Sequence, residues 1–450
     1  MEEGHPLASA IMFTGRSLHI LLAAIGAMIG VGWITVLGSW LEVAGPVGAA
    51  MAFALGAIAI LPIALCYAEL TGRHNASGGE IGHQAEYLSN TAAFTTAWFL
   101  LLAFLATAAF EAASFGWLFI SIFPEFRGGV VHSIGGVPTH SGEITSGIIV
   151  TCLFFIGNLA GHQSSRFIQL LTTIGKLAAA AVFITAGLAF GSIQNLSADA
   201  AQTTFGIREG GVLSVLVTTP FWYAGFNAAV QLTYGASKNE LRSIGFAFVA
   251  AILVAGMFYC LLIFSAGMAA PAAFQKSDML PAAAIFSNVA DWLGPVVILA
   301  GILGILSTFN AVLVAGASVI SRFTDRTVVP LAIGAIVAGL GAICGRAIII
   351  PVINVAAFCL SVVFLLTCLA AFGARMTLGR PPDGSFILPG GRGTIGIAIV
   401  LSAAFVFLAL LELLRPSAPL SNEILVLAAW GALGLTALQL FPSMRERLSR

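Results

Sequence analysis

The chain has 450 residues, 59% of them hydrophobic and only 8% charged. A soluble domain carries roughly 25% charged residues, so 19 basic and 19 acidic side chains are too few to coat a water-soluble protein of this length. The formal net charge of +0 also excludes the basic surface of a nucleic-acid binder.

A membrane span takes about 20 mostly apolar residues. Punctuation by Gly, Pro and charge divides the chain into twelve such spans, an all-α integral membrane protein with no soluble domain. Residues 1–16 form an N-terminal segment without the charged n-region, short apolar core and cleavage site of a signal peptide. Spans 1 to 5 are expected near 17–43, 47–71, 91–123, 144–161 and 167–191. Spans 6 to 10 follow near 208–236, 244–269, 292–321, 329–344 and 350–372. The last two lie near 394–413 and 422–441, ahead of a C-terminal segment over 442–450. The longest polar connections are 124–143 and 270–291.

Lys and Arg prefer the cytoplasmic side of a membrane. With the N-terminus inside, Arg16, Arg73, Arg166, Lys238, Arg242, Arg322, Arg326, Arg375, Arg380, Arg392, Arg445, Arg447 and Arg450 fall inside. Only Arg127, Arg208, Lys276, Arg346 and Arg415 fall outside, and Lys176 lies within a span. Both termini are therefore expected in the cytoplasm, with the protein in the plasma (inner) membrane.

Two spans carry glycine clusters near their middles: Ile25-Gly26-Ala27-Met28-Ile29-Gly30-Val31-Gly32-Trp33 in span 1 and Phe221-Trp222-Tyr223-Ala224-Gly225-Phe226-Asn227 in span 6. These two spans run in opposite directions. Unwound helices at matching places in two oppositely oriented halves point to an inverted-repeat transporter, because freed backbone groups are tolerated at mid-membrane only where they line a cavity. The same glycines also suit close helix packing.

Around these clusters stand Ala44-Gly45-Pro46, then Tyr67-Ala68-Glu69-Leu70 followed by Ser77-Gly78-Gly79-Glu80. Gly225-Phe226-Asn227 with Gln231, Lys238-Asn239, the run from Gly301 to Asn310, and Pro389-Gly390-Gly391 come later. In this order and spacing the sequence resembles the amino acid–polyamine–organocation (APC) superfamily of secondary transporters. The resemblance implies the leucine-transporter-type 5+5 inverted repeat, with helices 1–5 over 17–191, helices 6–10 over 208–372 and two further helices over 394–441. It implies that the amides of Gly30, Val31 and Gly32 bind a substrate carboxylate, in keeping with the positive end of a half-helix. Carbonyls of Met28, Phe221 and Ala224 would receive the substrate's ammonium group, beside Gly225 and Asn227, with Trp222, Tyr223 and Phe226 as wall or gate. The sequence departs from the superfamily pattern at Asn227 and Tyr234-Gly235, where many relatives carry acids, and at Glu240, where they carry proline. The usual proline before Ser-Gly-Gly is also missing.

Lys176 and Glu111 fall near the middles of spans 5 and 3. A charge at mid-bilayer costs about 2.5–3.5 kcal/mol on insertion scales, so a functional role is the starting expectation. By the resemblance, Lys176 stands where sodium-coupled proteins of this fold hold a cation, and it is the candidate for carrying the coupling proton. Its other reading is a structural pairing with a span-1 carbonyl. Glu111 is a candidate to attract an amine or relay protons, or else pairs inside the bundle. Ser307 and Thr308 are candidate oxygen ligands for sodium, although such hydroxyls commonly bond their own backbone. Glu42, Glu69 and Glu412 sit near span ends, within reach of water or headgroups, and His19 precedes the span-1 cluster.

No metal or cofactor is expected. His5, His19, His74, His83, His132, His140 and His162 form no ligand motif. The six cysteines (Cys66, Cys152, Cys260, Cys344, Cys359 and Cys368) lack Cys-x-x-Cys spacing and read as reduced packing residues. There is no Walker motif, and the Gly-Gly-Arg-Gly run at 390–393 sits in a loop. The expected function is an amino acid permease, not an enzyme, that imports its substrate with protons by alternating access. An amine, polyamine or ethanolamine permease, or an exchanger, is the alternative. A channel would want a continuous polar pore, which the spans lack.

Overall fold

The computed structural model describes residues 15–73, 79–160, 166–197, 211–233, 236–269, 280–324, 328–382, 385–414 and 422–440. Arg208, Lys276, Arg326, Arg415, Arg445, Arg447, Arg450, Ser77, Gly78, Tyr234, Gly235, His5, His74 and His162 lie outside the described residues.

The architecture is a bundle of apolar helices. Helix α1 (Gly15–Met28) stops inside the first glycine cluster, and α2 (Gly32–Arg73) starts at its far edge. Within α2 the helix breaks at Gly45 (φ 65°, ψ 169°), a conformation that needs glycine. Pro46 then restarts it, since its missing N–H and fixed φ suit a first helical turn. The short α3 (Gly79–Tyr87) leads to α4 (Asn90–Ile122), whose first turn is capped by the Ser89 hydroxyl accepting from the Ala92 amide.

The connection expected as a polar loop at 124–143 is partly ordered. A single 3₁₀ turn (Pro124–Phe126) precedes an antiparallel hairpin of β1 (Val130–Ile134) and β2 (Val137–His140). Its turn is Gly135-Gly136, both at positive φ, the pair that a two-residue hairpin turn of this hand requires. The hairpin caps a helix corner: His132 Nε2 bonds the Ile343 carbonyl at 2.7 Å, and Thr139 packs on Gly345. Next come α5 (Ser141–Leu159), α6 (Arg166–Phe190) and the single turn α7 (Gln194–Ser197).

The expected sixth span is in pieces: α8 (Val212–Leu216), α9 (Thr219–Trp222), α10 (Gly225–Ala229) and a 3₁₀ turn (Val230–Thr233). The long α11 (Lys238–Ala269), short α12 (Pro281–Ser287) and α13 (Leu293–Ser321) follow. Helices α14 (Val328–Cys344) and α15 (Ile349–Thr377) meet at Gly345, at φ +68°. The chain closes with α16 (Arg392–Leu413) and α17 (Asn422–Leu440).

Among the described residues, 9 helical runs are long and apolar enough to cross a membrane, where the sequence reading has twelve spans. The difference has a local cause. Two runs, of 42 and 50 residues, each contain a break, at Gly45 and near Gly345. The interrupted segments Gly15–Met28 and 212–233 are too short to be counted alone.

Candidate functional site

The two helix interruptions lie against each other. Between α1 and α2 the residues Ile29-Gly30-Val31 leave the helical ladder, and among the described residues the amides of Gly30, Val31 and Gly32 have no backbone acceptor. The next turn closes on itself, with Ile34 N–H bonding the Val31 carbonyl at 2.9 Å and the Thr35 hydroxyl the Gly32 carbonyl at 3.3 Å. In the sixth segment, Pro220 sits in the first turn of α9, and the helix then stalls at Tyr223 and Ala224 (ψ 5° and 25°) before α10 resumes. Gly225 presses directly on α1: a Cβ there would stand 2.3 Å from the Ala24 carbonyl oxygen. Gly32 lies under the Trp222 ring, where a Cβ would come within 2.2 Å of Cζ3. Both glycines therefore serve close packing as well as interruption.

A cavity of about 100 Å³, with room for several water molecules, opens beside this junction. Met28, Gly30, Gly32, Phe221, Trp222 and Ala224 line it from the interrupted segments, Glu111 from α4 and Thr308 from α13. The Thr308 hydroxyl donates to Glu111 Oε1 at 2.6 Å, while Glu111 Oε2 is buried without a partner among the described residues. The carbonyls expected to meet an ammonium group are partly occupied. Tyr259 donates its O–H to the Met28 carbonyl at 2.7 Å, and the Ala224 amide donates to Phe221 at 3.3 Å. Among the described residues, the Glu111 carboxyl thus keeps one unpartnered oxygen beside this cavity.

Residues 17–430 match the amino acid permease family. This chain belongs to that family, within the APC superfamily. Similar proteins include the glutamate/serine transporter AimA of Bacillus subtilis (strain 168), 26% identical over 55% of this chain and 46% of AimA. Cationic amino acid transporter 1 of Arabidopsis thaliana is 27% identical over 65% of this chain and 48% of its own length. The branched-chain amino acid permease BcaP of Bacillus subtilis is 23% identical over 70% and 67% of the two chains. The chain thus spans about half the length of the first two relatives. These relatives are transporters, not enzymes.

The permease holds its other candidate residues outside the cavity lining. Lys176, on α6, donates Nζ–H to the Gly26 carbonyl at 2.6 Å and to Ser307 Oγ at 2.7 Å, fastening α6 to α1 and α13. Ser307 also donates to the Gly304 carbonyl, as hydroxyls in apolar helices commonly do, and Thr308 Oγ1 lies 2.9 Å from the same oxygen. Val31 is fully buried, and Asn227 is buried among polar groups beyond the lining. Tyr223 bonds the Phe53 carbonyl at 2.9 Å, and Phe226 packs its ring on Tyr67 and Phe364. Of the three aromatics proposed as wall or gate, Trp222 alone lines the cavity. His19 is half-buried, Glu42 is exposed and Glu412 is half-buried. All six cysteines are free, and no metal-binding group of three or more His, Cys, Asp or Glu occurs among the described residues.

Glu69 corrects the sequence reading. It is fully buried rather than wetted, because α15 and the segment after it fold over the end of α2. Its carboxylate accepts from Arg73 at 3.1 Å, from Arg375 at 2.7 and 2.6 Å, and from the Leu388 amide at 3.2 Å.

The sequence reading missed Ala103, Phe104 and Thr107 on α4, Ala311, Val312 and Ala315 on α13, and Leu360 on α15. A signal existed for six of them. Residues three and four apart share a helix face, so stepping back from Glu111 reaches Thr107 and then Phe104 and Ala103, and stepping on from Thr308 reaches Ala311, Val312 and Ala315. Leu360 carried no such signal.

Proposed function

We propose that this permease is a secondary active transporter that imports an amino acid together with protons, by alternating access around the cavity at the helix interruptions. One observation carries the reading: the amides of Gly30, Val31 and Gly32 have no backbone acceptor among the described residues, and Gly30, Gly32 and the Glu111 carboxyl line one cavity where both interruptions meet. The amides of Gly30, Val31 and Gly32 open a long helix whose first turn holds no acidic residue, so the positive end of its dipole is available for a carboxylate. The substrates in the relatives' names have acidic, cationic and branched apolar side chains. Their common part is the α-amino acid backbone, which a site built from main-chain amides can recognise. Lys176, tied to the Gly26 carbonyl just before the interruption, is the coupling candidate, with Glu111 close enough to interact electrostatically.

The same reading divides the long runs at Gly45 and Gly345 and counts the interrupted segments as spans 1 and 6. Twelve spans in a 5+5 inverted repeat plus two result, with both termini in the cytoplasm by the distribution of Lys and Arg. The test is reconstitution in liposomes with an inside-alkaline pH gradient, offering radiolabelled L-serine, L-leucine, L-arginine, L-glutamate and putrescine. Ionophore-sensitive accumulation of at least one amino acid is the expected result. Uptake of putrescine alone would favour the amine reading, and indifference to the gradient would overturn proton coupling. Undiminished gradient-driven uptake by Lys176→Ala would remove that residue from the mechanism.

A further inference from the structure

Next to the cavity the packing along α15 turns from apolar to polar within two helical turns. Leu360 lines the cavity. One turn on, the Phe364 ring lies 6.0 Å from Tyr67 and 5.6 Å from Phe226, and the Tyr67 and Phe226 rings are 5.1 Å apart. A further turn on, the Thr367 hydroxyl donates to Tyr67 Oη at 3.2 Å and lies 2.9 Å from the Gln84 amide. Arg375 on Glu69 ends the series, about 22 Å along the helix from Leu360 at 1.5 Å per residue. Three aromatic rings thus separate the cavity from a buried polar cluster.

Glu80 sits in that cluster. Helix α3 is the least apolar of the longer elements, yet it buries Glu80 (5% exposed), His83 and Gln84 against the bundle. Asn227 of α10 and Tyr67 of α2 lie within hydrogen-bonding reach of the Glu80 carboxyl. Even so, Glu80 Oε1 and Asn227 Oδ1 are both buried acceptors without a partner among the described residues. A buried acceptor left unsatisfied is destabilising, and one proton added to Glu80 supplies the missing donor. Asn227 is flanked in sequence by Ala228, a residue of the cavity wall, and by Phe226, a ring of the aromatic plug.

We propose that Glu80 is a proton-carrying group of the transport cycle, screened from the cavity by the Tyr67–Phe226–Phe364 rings and linked to the interrupted helix through Asn227. This rests on the proton-coupled reading above. Ionised, the carboxylate accepts from the Tyr67 O–H and from the Asn227 NH₂. Protonated, it donates its O–H to Asn227 Oδ1, an amide that can present either end. When the rings part and water enters, the Glu80 O–H bond breaks, its electron pair stays on the carboxylate, and the proton forms an O–H bond on water. Burial pushes the Glu80 carboxyl up to about 7, against the hydrogen bonds from Asn227 and Tyr67 that lower it. Among the described residues, the other titratable groups around it are Tyr67 of α2, His83 of its own helix and Cys368 of α15 beside Tyr67. Arg375 is committed to Glu69, and Glu111, the single acid or base of α4, belongs to the cavity.

The experiment uses the full chain in liposomes and a radiolabelled mixture of the proteinogenic amino acids. One unit of pH gradient is worth about 1.36 kcal/mol per proton, or about tenfold accumulation. Wild type is expected to approach that figure. Glu80→Gln is expected to lose the accumulation while still exchanging preloaded for external amino acids, and Asn227→Asp added to it should return pH-driven accumulation by restoring a carboxylate one contact away. Glu80→Gln accumulating with the wild-type pH profile would overturn the assignment. So would parallel loss of exchange and accumulation in both Glu80→Gln and Glu80→Asp, which marks a structural role. A wild type that ignores an ionophore-sensitive gradient refutes proton coupling itself and this proposal with it, whereas a gradient-driven wild type with an indifferent Glu80→Gln refutes the assignment alone.

Discussion

Gly225→Ala and Gly30→Ala add the same methyl group to the two interruptions, and the structure assigns them different outcomes. At Gly225 the new Cβ would stand 2.3 Å from the Ala24 carbonyl oxygen, 2.6 Å from Met28 Cγ and 2.8 Å from the Met28 amide nitrogen. Two of these are backbone atoms, which no rotamer change can move. Reaching ordinary contact near 3.5 Å requires α1 and α10 to part by about 1 Å. Overpacking of this kind costs about 1–3 kcal/mol, and a backbone obstacle places Gly225→Ala at the upper end. That exceeds the gain of up to about 1 kcal/mol from replacing glycine by alanine in a helix. At Gly30 the nearest atoms are Thr308 Cγ2 at 3.1 Å and Oγ1 at 3.4 Å, on a side chain that can shift. Gly30→Ala should therefore fold within about 1 kcal/mol of wild type yet narrow the cavity and disturb the Thr308–Glu111 bond. Thermal unfolding of the purified variants, followed by tryptophan fluorescence, should rank wild type and Gly30→Ala together above Gly225→Ala. Liposome uptake should fall in both variants. A wild-type melting temperature for Gly225→Ala would refute the claim that α1 and α10 touch through this glycine.

Glu69→Gln should destabilise this end of the bundle strongly, since breaking a buried ion pair costs about 3–5 kcal/mol and two guanidinium groups here share one carboxylate; unchanged detergent stability would contradict that. Tyr259→Phe strands the Met28 carbonyl in a buried site, for which about 1–3 kcal/mol is expected, and a melting curve superimposable on wild type would exclude the bond. For Glu80, whose carboxyl is held near 7 against an ordinary 4.5, the folded chain binds more protons than the unfolded chain between those values. Stability should therefore fall as pH rises from about 4.5 to about 7 and level off above, by an amount on the order of 3 kcal/mol. Melting of wild type between pH 5 and 8 should show that slope, and Glu80→Gln should flatten it.

The helical, membrane-spanning character and the rough helix limits were legible in the sequence because burying a helix in lipid demands unbroken apolar runs, and Gly, Pro and charge mark their ends. The position of the first interruption was legible too. Gly26, Gly30 and Gly32 stand out in an apolar span, and the helix stops at Met28 and restarts at Gly32. Glu111 and Thr308 were visible as polar side chains in such runs, and they meet at 2.6 Å.

Rotation and contact were decided by the tertiary structure. Lipid-facing and protein-facing sides of a membrane helix are both apolar, so hydropathy gives a length but no direction, and Leu360 reached the cavity wall unannounced. Glu69 looked wetted by its place at a span end, until α15 brought Arg375 across 306 positions of chain onto its carboxylate. Likewise Glu80, in a short polar helix, was buried only when α3 docked beside Tyr67 and Asn227. The sequence by itself determined that this chain lives in a membrane and where its helices yield. The tertiary structure decided which of its few charges face a cavity, which are neutralised and which are left without a partner, because those properties belong to pairs of residues that the linear order keeps apart.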